Sequence, residues 1–205
     1  MAKKLYSIIS CDKTKFAWFK IPKTGTLSFS TILDKHLNLD RGVFRPTIVD
    51  NVDIEDLHSY SETYDDYFKF TFVRNPWDRL FSCYLDKVVN TINTSREIIC
   101  YKKYNGMSFS DFVFSISAQD LTSCSIHHRL QTSLFPADKI DFVGKFENLQ
   151  EDFTYVLNKI GLNSFKIPHK NKTSHKNYSL YYDLKSRDIV SDLYKKDIDL
   201  LKYQF

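Results

Sequence analysis

The 205-residue chain is short of glycine and proline, with five of each. Turn-rich all-β sandwiches use such residues freely, so that class is disfavoured. The four cysteines (Cys11, Cys83, Cys100 and Cys124) form no CxxC pair and no metal-ligand spacing. Reduced thiols in a cytosol are therefore expected, and no metal. No apolar run approaches the roughly 18 residues of a membrane span. Met-Ala-Lys-Lys leads into a short apolar stretch with no small-residue cleavage site behind it, which does not read as a secretory leader. With no leader, the N-x-[ST] triplets at Asn93, Asn171 and Asn177 read as chance matches. A net charge of +4 suits an anionic ligand, but the dense basic stripe of a nucleic-acid binder is missing.

What is present is apolar and aromatic. Hydrophobic residues make up 42% and aromatics 16%, enough for a globular chain with a substantial core in one domain spanning 1–205. Leu5–Ser10 and Lys15–Ile21 read as short strands, followed by a helix over Thr26–Leu37 with Leu27, Ser30, Ile32 and Leu33 half-buried. Val43–Ser61 is polar and irregular, with one short helix near Asp53–His58. Tyr67–Val73 is short and apolar enough for a buried strand. Asn75 then suits an N-cap and Pro76 the first helical position. Leu80, Phe81, Tyr84, Leu85 and Val88 give that helix its apolar face.

Residues 91–106 read as an exposed connection and Ser108–Ser117 as a helix. Asp141–Phe146 reads as a strand, and Leu149–Ile160 as a helix stopped by Gly161. A polar loop over 163–179 precedes one closing helix, Leu184–Leu201. Strands alternating with helices imply an α/β fold with a central, mostly parallel sheet flanked by helices. Ligands in such sheets sit beyond the carboxyl ends of the strands.

Two segments follow strand ends. Pro22-Lys23-Thr24-Gly25-Thr26-Leu27-Ser28 bridges strand and helix. Helix N-terminal N–H groups favour an anion, Gly25 allows close approach, Thr24, Thr26 and Ser28 add hydroxyls, and Lys23 adds a full charge. An ordinary βα turn with a surface lysine is the competing reading. The G-x-x-x-x-G-K-[ST] loop is absent, because here the lysine precedes the glycine. The second segment, FKFTFVRNPWDRLFSCYLDK, sends Arg74 from a strand end and places Ser82 about 10 Å further along a helix. A guanidinium and a hydroxyl so placed can hold one phosphate. Arg79 is the rival cation, read as pairing with a carboxylate such as Asp78 or Asp86.

These segments resemble the 5′-phosphosulfate loop and the 3′-phosphate motif of carbohydrate-type (family 2) sulfotransferases, which use 3′-phosphoadenosine 5′-phosphosulfate (PAPS). FVGKFENLQEDFTYVLNKIGL, IHHRLQTSLF (His127, Arg129 and Gln131 in an H-x-R-x-Q pattern) and NKTSHKNYSLYYD extend the resemblance. It implies a P-loop NTPase-like fold and transfer of a sulfuryl group from PAPS to an acceptor hydroxyl, usually on a glycan, with release of 3′,5′-ADP. It implies cofactor contacts from Lys23, Thr24, Gly25, Thr26, Leu27, Ser28, Arg74 and Ser82. Lys172, Thr173, His175 and Tyr178 lie in the loop it places over the nucleotide, with Lys172 and Thr173 taken as contacts. Leu27 stands where family members often carry threonine, which removes one hydroxyl but keeps the backbone N–H.

Lys23 can stabilise charge on the leaving oxygen, and the acceptor needs a general base. His58 is the candidate, with Glu55, Glu62 and His127 as alternatives. A nucleotide kinase or NTPase, or a non-catalytic nucleotide-binding module, is the alternative function. Expected partners are PAPS and an acceptor glycan or other hydroxyl compound, with no nucleic acid and no membrane span. The setting is read as cytoplasmic, and the Lys-, Asn-, Ile- and Tyr-rich composition as bacterial or viral.

Overall fold

The computed structural model describes residues 7–38, 47–50, 62–90, 96–162 and 177–205. They divide into two compact units: one takes the chain up to Val73 and Gln131–Thr173, the other Arg74–Leu130 and Ser174–Phe205. Each has its own apolar core.

The first unit is built on a five-stranded sheet of order β3-β1-β2-β4-β5. Its strands are β1 (Ser7–Cys11), β2 (Phe16–Phe19), β3 (Thr47–Asp50), β4 (Phe68–Val73) and β5 (Phe142–Lys145). β1 pairs antiparallel with β2 and β3, whereas β2, β4 and β5 run parallel, with Trp18 opposite Phe70 and Val73 opposite Lys145. The parallel part carries the candidate loop, which leaves the sheet after β2 and enters α1 (Thr26–Asn38). β3 lies in the stretch read from sequence as irregular. A four-residue strand at a sheet edge needs little apolar patterning of its own.

Aromatic rings fill the layer between this sheet and its helices. Phe29 of α1 meets Trp18 edge-on at 4.8 Å and Phe153 of α4 (Leu149–Lys159) at 4.9 Å, and Phe153 meets Phe72 at 4.5 Å. Each buried ring contributes about 1.5–3 kcal/mol relative to exposure. The apolar stripe of α1 is therefore Phe29, Ile32 and Leu33, while Leu27, expected to be half-buried, is 70% exposed. Gly144 is fixed by the same rings, because a Cβ there would stand 2.4 Å from Phe72. α4 ends at Gly161, whose φ of +76° is the left-handed stop its sequence predicts.

The second unit is helical. α2 (Pro76–Tyr84) opens as its sequence predicts: the Asn75 side chain accepts from the N–H of Trp77 and Asp78, with Pro76 in the first turn. The Asn75 Nδ2 also donates to the carbonyl of Gln204 at 2.8 Å. A π-helical turn, Leu85–Val89, extends α2, and α3 (Phe109–Ile116) is capped by Ser108. The 91–106 stretch is not simply an exposed connection. It contains a 3-10 helix, Arg96–Tyr104, with Tyr101 and Tyr104 buried in the core.

The closing helix is two helices, α5 (Leu184–Leu193) and α6 (Lys195–Leu201). The break falls at Tyr194, which leaves helical geometry with φ −104° and ψ 18°. Its buried hydroxyl donates to the carbonyl of His128 at 2.5 Å, a contact no local pattern announces.

Candidate active site

In the first unit, residues 21–28 turn the chain from β2 into α1. Lys23 and Gly25 both have positive φ, +73° and +81°. The Thr24 hydroxyl, buried, donates to the Ile21 carbonyl at 2.8 Å and ties the turn back on itself. That proton is thus spent within the loop. The Gly25 carbonyl accepts from the N–H of Ser28 at 3.0 Å and of Phe29 at 3.3 Å. Thr26 and Leu27, the first helical residues, have N–H groups with no carbonyl available inside the helix, the arrangement that favours an anion.

Gly25 also has little room for a side chain. A Cβ would lie 3.1 and 3.2 Å from the two methyl carbons of Leu149. The start of α4 therefore supports the turn from below, and the F-E-N-L segment of the sequence has this packing role. Lys23 and Thr26 are half-buried, Ser28 is buried, and Leu27 points its side chain to solvent. A phosphate ester with its negative charge fits these donors.

In the second unit, Arg74 and Ser82 are both buried. The Arg74 guanidinium meets Asp78, one turn into α2, through Nε at 2.9 Å and Nη2 at 2.8 Å, both to the single oxygen Oδ2. Asp78 is therefore the carboxylate of Arg74, not of Arg79 as expected. The i,i+4 spacing of the two residues is the sequence signal that could have shown it. Arg79 is fully buried, and its Nη1 and Nη2 donate to the carbonyls of Arg129 at 2.7 Å and Ile126 at 3.0 Å. These bonds give Arg79 a structural role on backbone carbonyls, where sequence led to the expectation of a carboxylate such as Asp78 or Asp86.

The H-x-R-x-Q segment is built inward. Arg129 is buried and donates Nε to the Cys124 carbonyl at 2.9 Å, and its Nη2 also reaches that oxygen. His127 is half-buried, with its ring 6.3 Å from Tyr101. Its neighbour His128, which sequence reading passed over, is buried in a polar chain: Nδ1 lies 2.5 Å from the Tyr101 hydroxyl and Nε2 3.2 Å from Gln119 Oε1. Gln119 in turn donates Nε2 to the Tyr104 hydroxyl at 2.5 Å. Burial, helped by the positive charges of Arg79, Lys103 and Arg129, pushes the His128 pKa down to about 3, so its imidazole is neutral. Burial likewise raises the Cys124 thiol to about 11 and leaves it unreactive.

Among the alternatives for the general base, Glu62 is exposed and paired with Lys139 at 3.2 Å. Tyr178 packs edge-on against Phe205 at 5.8 Å and Tyr182 at 6.4 Å. His58, Glu55, Lys172, Thr173 and His175 lie outside the described residues. Among the described residues, no group of His, Cys, Asp and Glu could hold a metal ion, and no helix is long and apolar enough to cross a membrane.

The first unit thus carries a strand-to-helix anion loop, and the second a capped helix with a buried arginine at its entrance. The Sulfotransferase family model matches residues 6–204, and the chain belongs to that family. Human carbohydrate sulfotransferase 9 is 26% identical over 179 residues, which cover 73% of this chain and 40% of that protein. Carbohydrate sulfotransferase 14 of Danio rerio is 27% identical over 179 residues, 77% of this chain and 49% of that protein. Carbohydrate sulfotransferase 11 of Rattus norvegicus is 33% identical over 124 residues, 50% of this chain and 35% of that protein. The chain thus spans less than half the length of these relatives. No solved structure gives a significant match.

Proposed function

We propose that the chain is a PAPS-dependent sulfotransferase acting on a carbohydrate hydroxyl. The observation that carries this reading is the 22–28 turn, where Lys23 and Gly25 at positive φ and the opening N–H groups of α1 stand at the end of a parallel strand. Membership of the sulfotransferase family and the names of its carbohydrate sulfotransferase relatives support it, and they do not favour a nucleotide kinase or a non-catalytic module.

In this reading PAPS, when bound, supplies the sulfuryl group. The N–H groups of Thr26 and Leu27 and the Ser28 hydroxyl hold its 5′-phosphate, and Gly25 keeps the backbone close. The Lys23 ammonium stabilises negative charge on the bridging oxygen as the bond to sulfur breaks, an interaction strongest in the transition state. Arg74 and Ser82 hold the 3′-phosphate. Sulfuryl transfer, like phosphoryl transfer, is mostly positioning and charge stabilisation, and this donor set needs no metal. His58 is proposed to take the acceptor proton, with Lys172 and Thr173 as further nucleotide contacts. The four cysteines are free thiols, which supports a reducing, cytoplasmic setting.

The test is ligand-induced stabilisation. A ligand at 100 times its dissociation constant adds about 2.7 kcal/mol. 3′,5′-ADP is expected to raise the melting temperature and ADP much less. Equal shifts with the two nucleotides remove the 3′-phosphate assignment, and a labelled-PAPS screen against glycans then identifies the acceptor.

A further inference from the structure

We infer that Asp78 is a positioning residue for 3′-phosphate recognition, acting through Arg74. This inference rests on the proposal that Arg74 takes the 3′-phosphate. Asp78 sits in the first turn of α2, and its N–H is held by the Asn75 side chain. The carboxylate is thus attached to a rigid part of the helix. It grips Arg74 by one edge of the guanidinium, Nε and Nη2 converging on Oδ2 at 2.9 and 2.8 Å. A planar fork held along that edge has a fixed plane, and bidentate recognition of a phosphate depends on that plane.

The other oxygen shows that the pair is not arranged for stability alone. Asp78 Oδ1 is buried and has no hydrogen-bond partner among the described residues. Burying a carboxylate with one oxygen unsatisfied is costly, and a buried ion pair is in any case a poor source of net stability. Among the described residues, only the oxygen that orients the arginine is engaged.

The sign of the effect separates positioning from simple charge. Removing a negative group near a phosphate site should tighten anion binding if Asp78 only repels. If Asp78 positions Arg74, its removal should weaken binding of the nucleotide that carries the 3′-phosphate and spare the one that does not. Asp78→Asn keeps the shape and removes the charge, while Asp78→Glu keeps the charge and displaces it by one methylene.

The experiment titrates 3′,5′-ADP and ADP by calorimetry into the wild type, Asp78→Asn and Asp78→Glu. The wild type is expected to prefer 3′,5′-ADP. Asp78→Asn should lose about tenfold in 3′,5′-ADP affinity with ADP affinity unchanged, and Asp78→Glu should lose less. Because both affinities are read on the same sample, a partly unfolded variant lowers both together and leaves their ratio intact. If the wild type discriminates and both variants keep or increase the ratio, the positioning role is overturned. If the wild type does not discriminate, the assignment of Arg74 falls, and the role of Asp78 with it.

Discussion

Replacing Lys23 by glycine and by alanine separates what its backbone does from what its ammonium does. Lys23 sits at φ +73°, a conformation in which a Cβ costs an L-residue about 1–2 kcal/mol. Alanine keeps that Cβ and therefore keeps the strain. Glycine removes it but returns roughly 0.5–1 kcal/mol through its greater freedom in the unfolded chain. The glycine variant should thus match or exceed the alanine variant in stability, by up to about 1.5 kcal/mol, where each kcal/mol is worth about 2–4 °C in melting temperature for a chain of this size. Both lose the ammonium, so both should lose sulfuryl transfer alike. Urea unfolding and melting of the two variants beside the wild type decide the first point, and turnover the second. An alanine variant more stable than the glycine variant would refute the claim that the loop holds Lys23 in a strained conformation.

Gly25→Ala should destabilise by about 1–3 kcal/mol, because φ +81° and the Leu149 methyls at 3.1 and 3.2 Å both oppose a Cβ. Part of the loss should return when Leu149 is also shortened to Ala, as a double-mutant cycle of unfolding free energies would show. His128 should make the fold acid-sensitive. Its folded pKa of about 3 lies below the ordinary 6.5, so the unfolded state takes up the proton first as pH falls below 6.5. Stability then declines by at most about 1.4 kcal/mol per pH unit, levelling off near pH 3. Urea midpoints at pH 7 and 4.5 should differ more in the wild type than in His128→Gln. Arg79→Ala should cost about 2–4 kcal/mol by stranding the carbonyls of Ile126 and Arg129. In calorimetry its folded fraction should bind 3′,5′-ADP nearly as the wild type does.

Local chemistry made part of this molecule legible. Asn75 and Pro76 start α2 because a side-chain acceptor and a missing N–H suit those positions wherever they occur. Gly161 ends α4 for an equally local reason. The 22–28 loop was readable because strand, lysine, glycine and helix follow one another along the chain. Features that depend on distant partners were not readable. The break falls at Tyr194, whose hydroxyl finds the carbonyl of His128, 66 residues away in sequence. Tyr101 and Tyr104 are buried because the core around α2 and α3 needs them, although their neighbours are lysines. Spacing alone puts Leu27 in the buried stripe of α1, but Phe29 fills the space against Trp18. At the candidate site, the sequence singles out Arg74 but not its partner, although Asp78 stands one helical turn away.

The central claim is that Lys23 acts on the departing oxygen, and turnover measured beside nucleotide affinity in Lys23→Ala tests it most directly. Removing one donor of this kind lowers turnover by about 10²–10³. Binding of 3′,5′-ADP should fall much less, since the N–H groups opening α1 and the side chains of Arg74 and Ser82 remain. Lys23→Arg should rescue poorly, because a planar fork does not replace a compact ammonium. A Lys23→Ala variant with near-normal turnover, or one whose whole loss appears in nucleotide affinity, would contradict the account.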